Sequence, residues 1–121
     1  MKVVKRGEPP VEDRTSAAIF VGGRVVGHSI VGPEMNADYN FTSVSFDAGA
    51  RTKFHAHTSD QILYATDGTG IVADEEKEIE IKPGDTAWIP AGEKHWHGAT
   101  PDSSFSHISL QTADSTTEIL E

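Results

Sequence analysis

The stretch KFHAHTSDQ (53–61) places two histidines one residue apart, with a glutamine four positions after the second. On a strand, side chains at i and i+2 point to the same side, about 7 Å apart along the backbone. His55 and His57 therefore aim two imidazoles at one point, an economical half of a metal site. Thr58-Ser59-Asp60 suits a turn, after which Gln61 opens the next strand and faces back toward the same point. His95 and His97 repeat the i, i+2 arrangement after Pro90-Ala91-Gly92, and His107 shares its parity with Phe105, Ser109 and Gln111. Five of the six histidines fall where one cavity could collect them, and His28 stands apart. With an ordinary pKa near 6.5, imidazole serves either as a ligand or as a proton carrier.

Composition narrows what such a cavity can be. A chain of 121 residues is one domain by its length, predicted over 1–121 with residues 1–14 as a polar N-terminal arm. It has no cysteine, so thiolate ligands, disulfides and cysteine nucleophiles are excluded. The net charge of −9 comes without any Lys/Arg cluster, which argues against nucleic acid as a partner. The dense acidic run ADEEKEIE (73–80) reads as a solvated turn. No apolar stretch is long enough for a signal peptide or a membrane span, so a cytoplasmic location and a small-molecule substrate are the expectation.

The elements that must position the histidines are short and β-rich. No segment carries apolar residues at i, i+3, i+4, i+7, so helices are not expected. AAIFV (17–21), Gly22-Gly23 and RVVGHSIV (24–31) have the signature of a hairpin on a two-glycine turn. FTSVSFDA (41–48), QILYATD (61–67), GIVAD (70–74), EIEIK (78–82), TAWIP (86–90), HWHGA (95–99), FSHISLQ (105–111) and TTEIL (116–120) continue the series, with 70–74 and 78–82 forming a second hairpin. About nine or ten short strands at this spacing predict an all-β sandwich or barrel. Residues 113–121 are read as either an edge strand or a loose tail. Trp88 and Trp96 are expected in the core or at a subunit interface.

The glycines and prolines complete two motifs. Gly49, His55, His57, Gln61 and Gly68 resemble the first cupin motif, with Gln61 where that motif has Glu; Gly84, Pro90, Gly92, His95 and Ala99 resemble the second, with Ala99 where Asn is usual. Four of five positions match in each, across residues 49–99, and 15 residues (69–83) separate the motifs. The resemblance implies a cupin jelly-roll β-barrel, a double-stranded β-helix, and makes His55, His57, Gln61 and His95 the metal ligands. Within the family, GARTKFHAH (49–57) and GEKHWHGATPDSSFSH (92–107) are similar to the small manganese cupins that act as hydroxynitrile lyases.

That ligand set has a chemical consequence. Three imidazoles and an amide are neutral, so a divalent ion keeps its full charge and acts as a stronger Lewis acid than beside a glutamate. Without thiolates, the donors suit manganese or iron first, with nickel, zinc, cobalt or copper also compatible. His97 and His107 are the expected general base or acid, and Thr42, Val44, Phe46, Leu63 and Gln111 the expected pocket. The resemblance implies a lyase acting on a small organic substrate; an O₂-dependent dioxygenase of the quercetinase kind and a non-catalytic metal- or ligand-binding cupin are the alternatives. It also implies a homodimer or higher homo-oligomer.

Overall fold

Buried and exposed side chains alternate along residues 61–65 and 105–109, the signature of strands with one face on a core. The computed structural model describes residues 1–121, with thirteen strands and no α-helix. The strands are β1 (Glu12–Asp13), β2 (Phe20–Val21), β3 (Val25–Val31), β4 (Tyr39–Phe46), β5 (Arg51–Thr52), β6 (His55–His57), β7 (Gln61–Gly68), β8 (Gly70–Ala73), β9 (Glu78–Ile81), β10 (Thr86–Ile89), β11 (Trp96–Ala99), β12 (Phe105–Thr112) and β13 (Thr117–Ile119); one 3-10 turn spans Pro33–Met35. No helix is long and apolar enough to cross a membrane.

All pairings are antiparallel. One sheet runs β1-β3-β4-β12-β7-β10, and a second runs β2-β5-β11-β8-β9. A two-stranded ribbon, β13-β6, accompanies them. This is the two-sheet jelly roll expected of an all-β cupin barrel.

The inner face is laid out in rows by register. Val25, Phe46 and Phe105 are neighbours across β3, β4 and β12, and they form the apolar end of the barrel with Ala50, Ala65 and Ile81. The next row puts Val44 beside His107, and the one after puts Thr42 beside Ser109. Polarity thus rises stepwise toward one end of the barrel. A register shift between Ser106 and His107 on β12 leaves Thr66 of β7 unpaired. A bulge of this kind bends the strand and re-aims its side chains, here beside a buried histidine.

Two sequence-based expectations need correction. Residues 17–31 are not a hairpin: β2 pairs with β5 in one sheet, while β3 pairs with β1 and β4 in the other. Gly22-Gly23 is instead a corner between sheets. A Cβ on Gly22 would lie 2.6 Å from the Gly49 carbonyl oxygen, so the glycine serves close backbone approach. The N-terminal arm is not free either, because Glu12 and Asp13 form β1 on the edge of β3. The tryptophans divide between core and surface. Trp96 is buried with the Arg51 guanidinium 4.2 Å above its ring. Trp88, in contrast, is exposed beside its outward-facing neighbours Ile62 and Tyr64.

Candidate metal centre

β6 is held from two sides, and this is what gathers the histidines. On one side it forms a reciprocal bridge with His95, with His55 N–H donating to His95 O at 2.9 Å and His95 N–H to His55 O at 3.0 Å. The Gly92 N–H adds a third bond, to His57 O at 2.8 Å. On the other side β13 pairs with all three residues of β6. The turn before His95 is fixed by Asp60, whose carboxylate accepts from Ala91 N–H (2.9 Å) and Trp88 Nε1–H (3.0 Å).

The result is a nest of five buried imidazoles. Ring centroids lie 4.2 Å apart for His55 and His95, 4.8 Å for His55 and His57, and 4.9 Å for His97 and His107. The donor atoms of His55, His95 and His97 all fall within 4.8 Å of one another. This tightest trio contains His97, which the sequence reading had assigned to proton transfer. His57 is not part of that trio, although its ring lies 4.8 Å from that of His55 and 5.4 Å from that of His95.

Hydrogen bonds decide which nitrogens face inward. His55 Nδ1 lies 2.7 Å from Lys53 O, and His95 Nδ1 lies 2.8 Å from Glu93 O. A carbonyl can only accept, so each Nδ1 carries the proton and each Nε2 presents a lone pair. Gln61 donates through Nε2 to Ser109 Oγ at 2.9 Å, which leaves Oε1 facing His95 Nε2 at 3.2 Å. Two acceptors then confront each other with no proton between them. Adjacent donors on one six-coordinate ion, each about 2.1 Å from it, stand about 3 Å apart. His57 Nε2 is buried without any partner. An orphaned lone pair beside two opposed acceptors is what a cation would satisfy, and the residues present fit a divalent metal.

Electrostatics point the same way. Burial pushes His55 down to about 3, because protonation would put a charge in a dry site, and the neighbouring His95 and His57 oppose it further. His57 falls to about 4 through burial and the nearness of His95. The Gln61 amide biases His57 slightly toward its charged form without closing a hydrogen bond. His95 is lowered by burial as well, His97 is lowered well below the ordinary value by burial and the surrounding histidines, and His107 falls to about 4 through burial. All five are neutral near pH 7, the form in which imidazole ligates.

Behind the trio, His97 Nδ1 faces His107 Nε2 at 3.1 Å. Between two neutral rings only one can donate, so this bond has two senses. Phe46 packs against both, with centroids at 5.9 and 5.6 Å. The His97 backbone N–H is tied to Thr52 Oγ1 at 3.1 Å.

A cavity of about 530 Å³ opens onto His55, His57, Gln61, His97 and His107. Thr42, Val44 and Gln111 lie on its wall. Phe46 and Leu63 do not. Phe46 sits one row deeper, beneath the histidine pair, and Leu63 is packed between Ser109 and Ala87. The mouth is built by residues that sequence reasoning left out: Asp13, Arg14, Ser16, Ala17, Ile19 and Phe20. They belong partly to the supposed arm and partly to the supposed hairpin, so no pattern in the sequence tied them to the site. Thr52, Thr117 and Ser109 were missed as partners of the histidines and of Gln61, although the parity of Ser109 with His107 was a usable signal.

A two-sheet barrel with imidazoles gathered between its sheets defines a class of protein, and the comparisons with known proteins agree. The family model described as a cupin domain matches residues 42–109, and the chain belongs to the cupin family. It is 46% identical over 70 residues to the (R)-mandelonitrile lyase of Granulicella tundricola, a stretch covering 57% of this chain and 53% of that protein. An uncharacterised protein of Methanocaldococcus jannaschii is 38% identical over 48 residues, covering 39% of this chain and 38% of its own. The matched stretches thus span about half or less of these relatives. Among solved structures, a cupin-like protein of Thermotoga maritima superposes with a TM-score of 0.81 at 32% identity, over 99% of this chain and 89% of that one. The polyketide cyclase RemF of Streptomyces resistomycificus superposes at 0.87 with 18% identity, over 100% of this chain and 86% of that one, a likeness of fold alone.

Proposed function

We propose that the chain is a metal-dependent cupin lyase that cleaves a small α-hydroxynitrile into a carbonyl compound and hydrogen cyanide. The observation that carries this reading is the set of neutral donors gathered at one open cavity: His55, His57 and Gln61 on its wall, His95 Nε2 facing Gln61 Oε1 just behind it, and the His97–His107 pair beside them. The partial identity to an (R)-mandelonitrile lyase supports it.

His55, His57, His95 and Gln61 would hold a divalent ion, with His97 close enough to join or replace one of them. When bound, that ion supplies Lewis acidity to a hydroxyl oxygen without a carboxylate to dilute its charge. The residues do the rest. Ala17, Ile19, Phe20 and Val44 give the cavity an apolar wall for an aryl or alkyl group. Thr42 and Gln111 offer polar groups that can orient the nitrile. A neutral His97 takes the hydroxyl proton, and its bond to His107 Nε2 lets the pair settle the charge. As the C–C bond breaks, its electron pair leaves with cyanide and the oxygen lone pair closes the carbonyl. The proton then returns from the histidine pair to cyanide.

The test uses purified protein with its metal content measured first. Cleavage of mandelonitrile, followed by benzaldehyde absorbance and cyanide release, is expected to need the ion, to be lost on chelation and to consume no O₂. Protein that carries no metal under replete conditions, or turnover that draws down O₂, contradicts this reading.

A further inference from the structure

We infer that Thr117, on the C-terminal strand β13, is a positioning residue for His57, and that β13 belongs to the frame of the metal centre. The inference rests on reading the histidine nest as a metal site.

His55 and His95 are oriented in the same local way, each Nδ1 bonding the carbonyl two residues before it in the chain. His57 does not copy them. The carbonyl two residues before it is His55 O, which already accepts the His95 N–H at 3.0 Å. Its Nδ1 instead meets Thr117 Oγ1 at 2.8 Å, from 60 residues further along the chain. Register explains how. Thr117 lies directly opposite His57 in the β13–β6 ladder, so the two side chains share a face.

β13 has no other reason to be where it is. All three of its residues are exposed, so it adds nothing to the core. Hydrogen bonds alone fasten it: Thr58 N–H to Thr116 O (3.0 Å), Thr116 N–H to Thr58 Oγ1 (2.9 Å) and Leu120 N–H to Phe54 O (2.8 Å). The Glu121 carboxylate accepts from Arg51 Nη2 (3.0 Å) and Phe54 N–H (3.1 Å). What the strand delivers is one hydroxyl to one imidazole.

The hydroxyl matters because it differs from a carbonyl. It can accept from Nδ1–H, leaving a lone pair on Nε2, or donate to Nδ1, leaving a proton there. Only the first sense suits a ligand. Thr117 is exposed and lines the cavity, so its own hydroxyl proton has solvent to turn to, and it accepts from His57. His57 Nε2 then points its lone pair inward, where no other group meets it.

Three variants test this, all read in the folded protein: Thr117→Val removes the hydroxyl at constant shape, Thr117→Ser restores it, and Thr58→Ala loosens β13 without touching it. Metal affinity is measured by titrating Mn(II) into metal-free protein, and ring ¹⁵N shifts of the metal-free protein report the tautomers. Thr117→Val is expected to lower affinity about 10- to 100-fold, the usual cost of losing a group that orients a ligand. It is also expected to move His57 from Nδ1–H toward a mixture while His55 and His95 stay unchanged. Thr117→Ser is expected to behave as the parent. Equal affinity in parent and Thr117→Val overturns the inference, as does a Thr117→Ser variant that binds as weakly as Thr117→Val. Thr58→Ala is expected to weaken binding too, and unchanged binding there removes β13 from the frame. A parent that binds no Mn(II) refutes the metal reading itself. In that case the ¹⁵N shifts still decide the role of Thr117: an unchanged His57 tautomer in Thr117→Val rules it out.

Discussion

Without a bound ion, this protein is expected to be acid-labile in a narrow window. His55, His57 and His107 sit at about 3, 4 and 4 when folded, because burial disfavours their charged forms. In the unfolded chain each titrates near 6.5. Between these values the unfolded state binds protons that the folded state refuses, so stability rises with pH and falls as pH drops below about 6.5. At pH 5 each of the three lies about 1.5 pH units below its unfolded midpoint, and one unit corresponds to about 1.4 kcal/mol. Each therefore removes about 2 kcal/mol, and the three together about 6 kcal/mol. His95 and His97 are shifted the same way and add to this loss. A domain of this size has roughly 5–15 kcal/mol to lose. The carboxylates of Asp13, Asp60 and Asp74 are also lowered, but from 3.8, so they act only below this window. Guanidinium denaturation of chelator-treated protein at pH 7.5, 6.5, 5.5 and 5.0 measures the effect. The expected slope is about 4 kcal/mol per pH unit from these three alone. A loss below about 1 kcal/mol between pH 6.5 and 5.0 would refute the reasoning, since it would mean the imidazoles accept protons in place.

Four further outcomes follow from single contacts. His107→Phe removes a buried ring whose Nδ1 has no partner, among Phe46 and Phe105, but leaves His97 Nδ1 unpaired; the two effects oppose, so stability is expected to change by less than about 2 kcal/mol, while cyanohydrin turnover drops. Gln61→Glu puts a carboxylate where the amide oxygen meets His95; more metal should survive a chelator challenge, with a lower maximal rate because the ion's charge is partly cancelled. Gly98→Ala would set a Cβ 2.5 Å from the Ala50 carbonyl oxygen and 2.4 Å from the Arg51 Cβ, and denaturation should show a loss of about 1–3 kcal/mol or more. Gly84→Ala meets nothing within 4 Å but has φ +93°, so only backbone strain of about 1–2 kcal/mol is expected there.

The sequence was most informative where chemistry and period coincide. The i, i+2 histidine pairs, the turns around Gly84 and Pro90, and the shared parity of Phe105, His107 and Ser109 each follow from local geometry, and each is found. What escaped reading was of longer range. Gly22-Gly23 has the composition of a hairpin turn, but whether two flanking strands pair with each other or part into different sheets depends on what lies beside them. Here Gly49 and Ala50 press against the corner and split the strands. The cavity mouth was illegible for the same reason, since nothing in DRTSAAIF (13–20) marks it as facing histidines far along the chain. Phe46 and Leu63 were assigned to the pocket by parity alone. Parity gives the face of a strand and says nothing of depth or cover: Phe46 lies deeper, and Leu63, level with Ser109, is packed between Ser109 and Ala87.

Depth also bears on why the ligand beside the imidazoles is an amide. A glutamate at position 61 would be 4% exposed, beside a hydroxyl and among neutral rings. Without metal it would be a buried charge with one hydrogen bond, which is costly. The amide avoids that penalty: Ser109 accepts from its Nε2 and fixes Oε1 inward. The site can therefore stay folded and neutral while waiting for an ion, and present the ion with undiminished charge afterwards. The groups that orient the rings follow a similar logic: Lys53 and Glu93 act through backbone carbonyls and Thr117 through a hydroxyl, while the Glu93 carboxylate lies near enough to favour the charged form of His95. Every group that touches or orients the donors is uncharged. On the proposed metal reading, a substrate that loses a proton on binding would suit this centre, because its new negative charge would meet an ion with no carboxylate bonded to it.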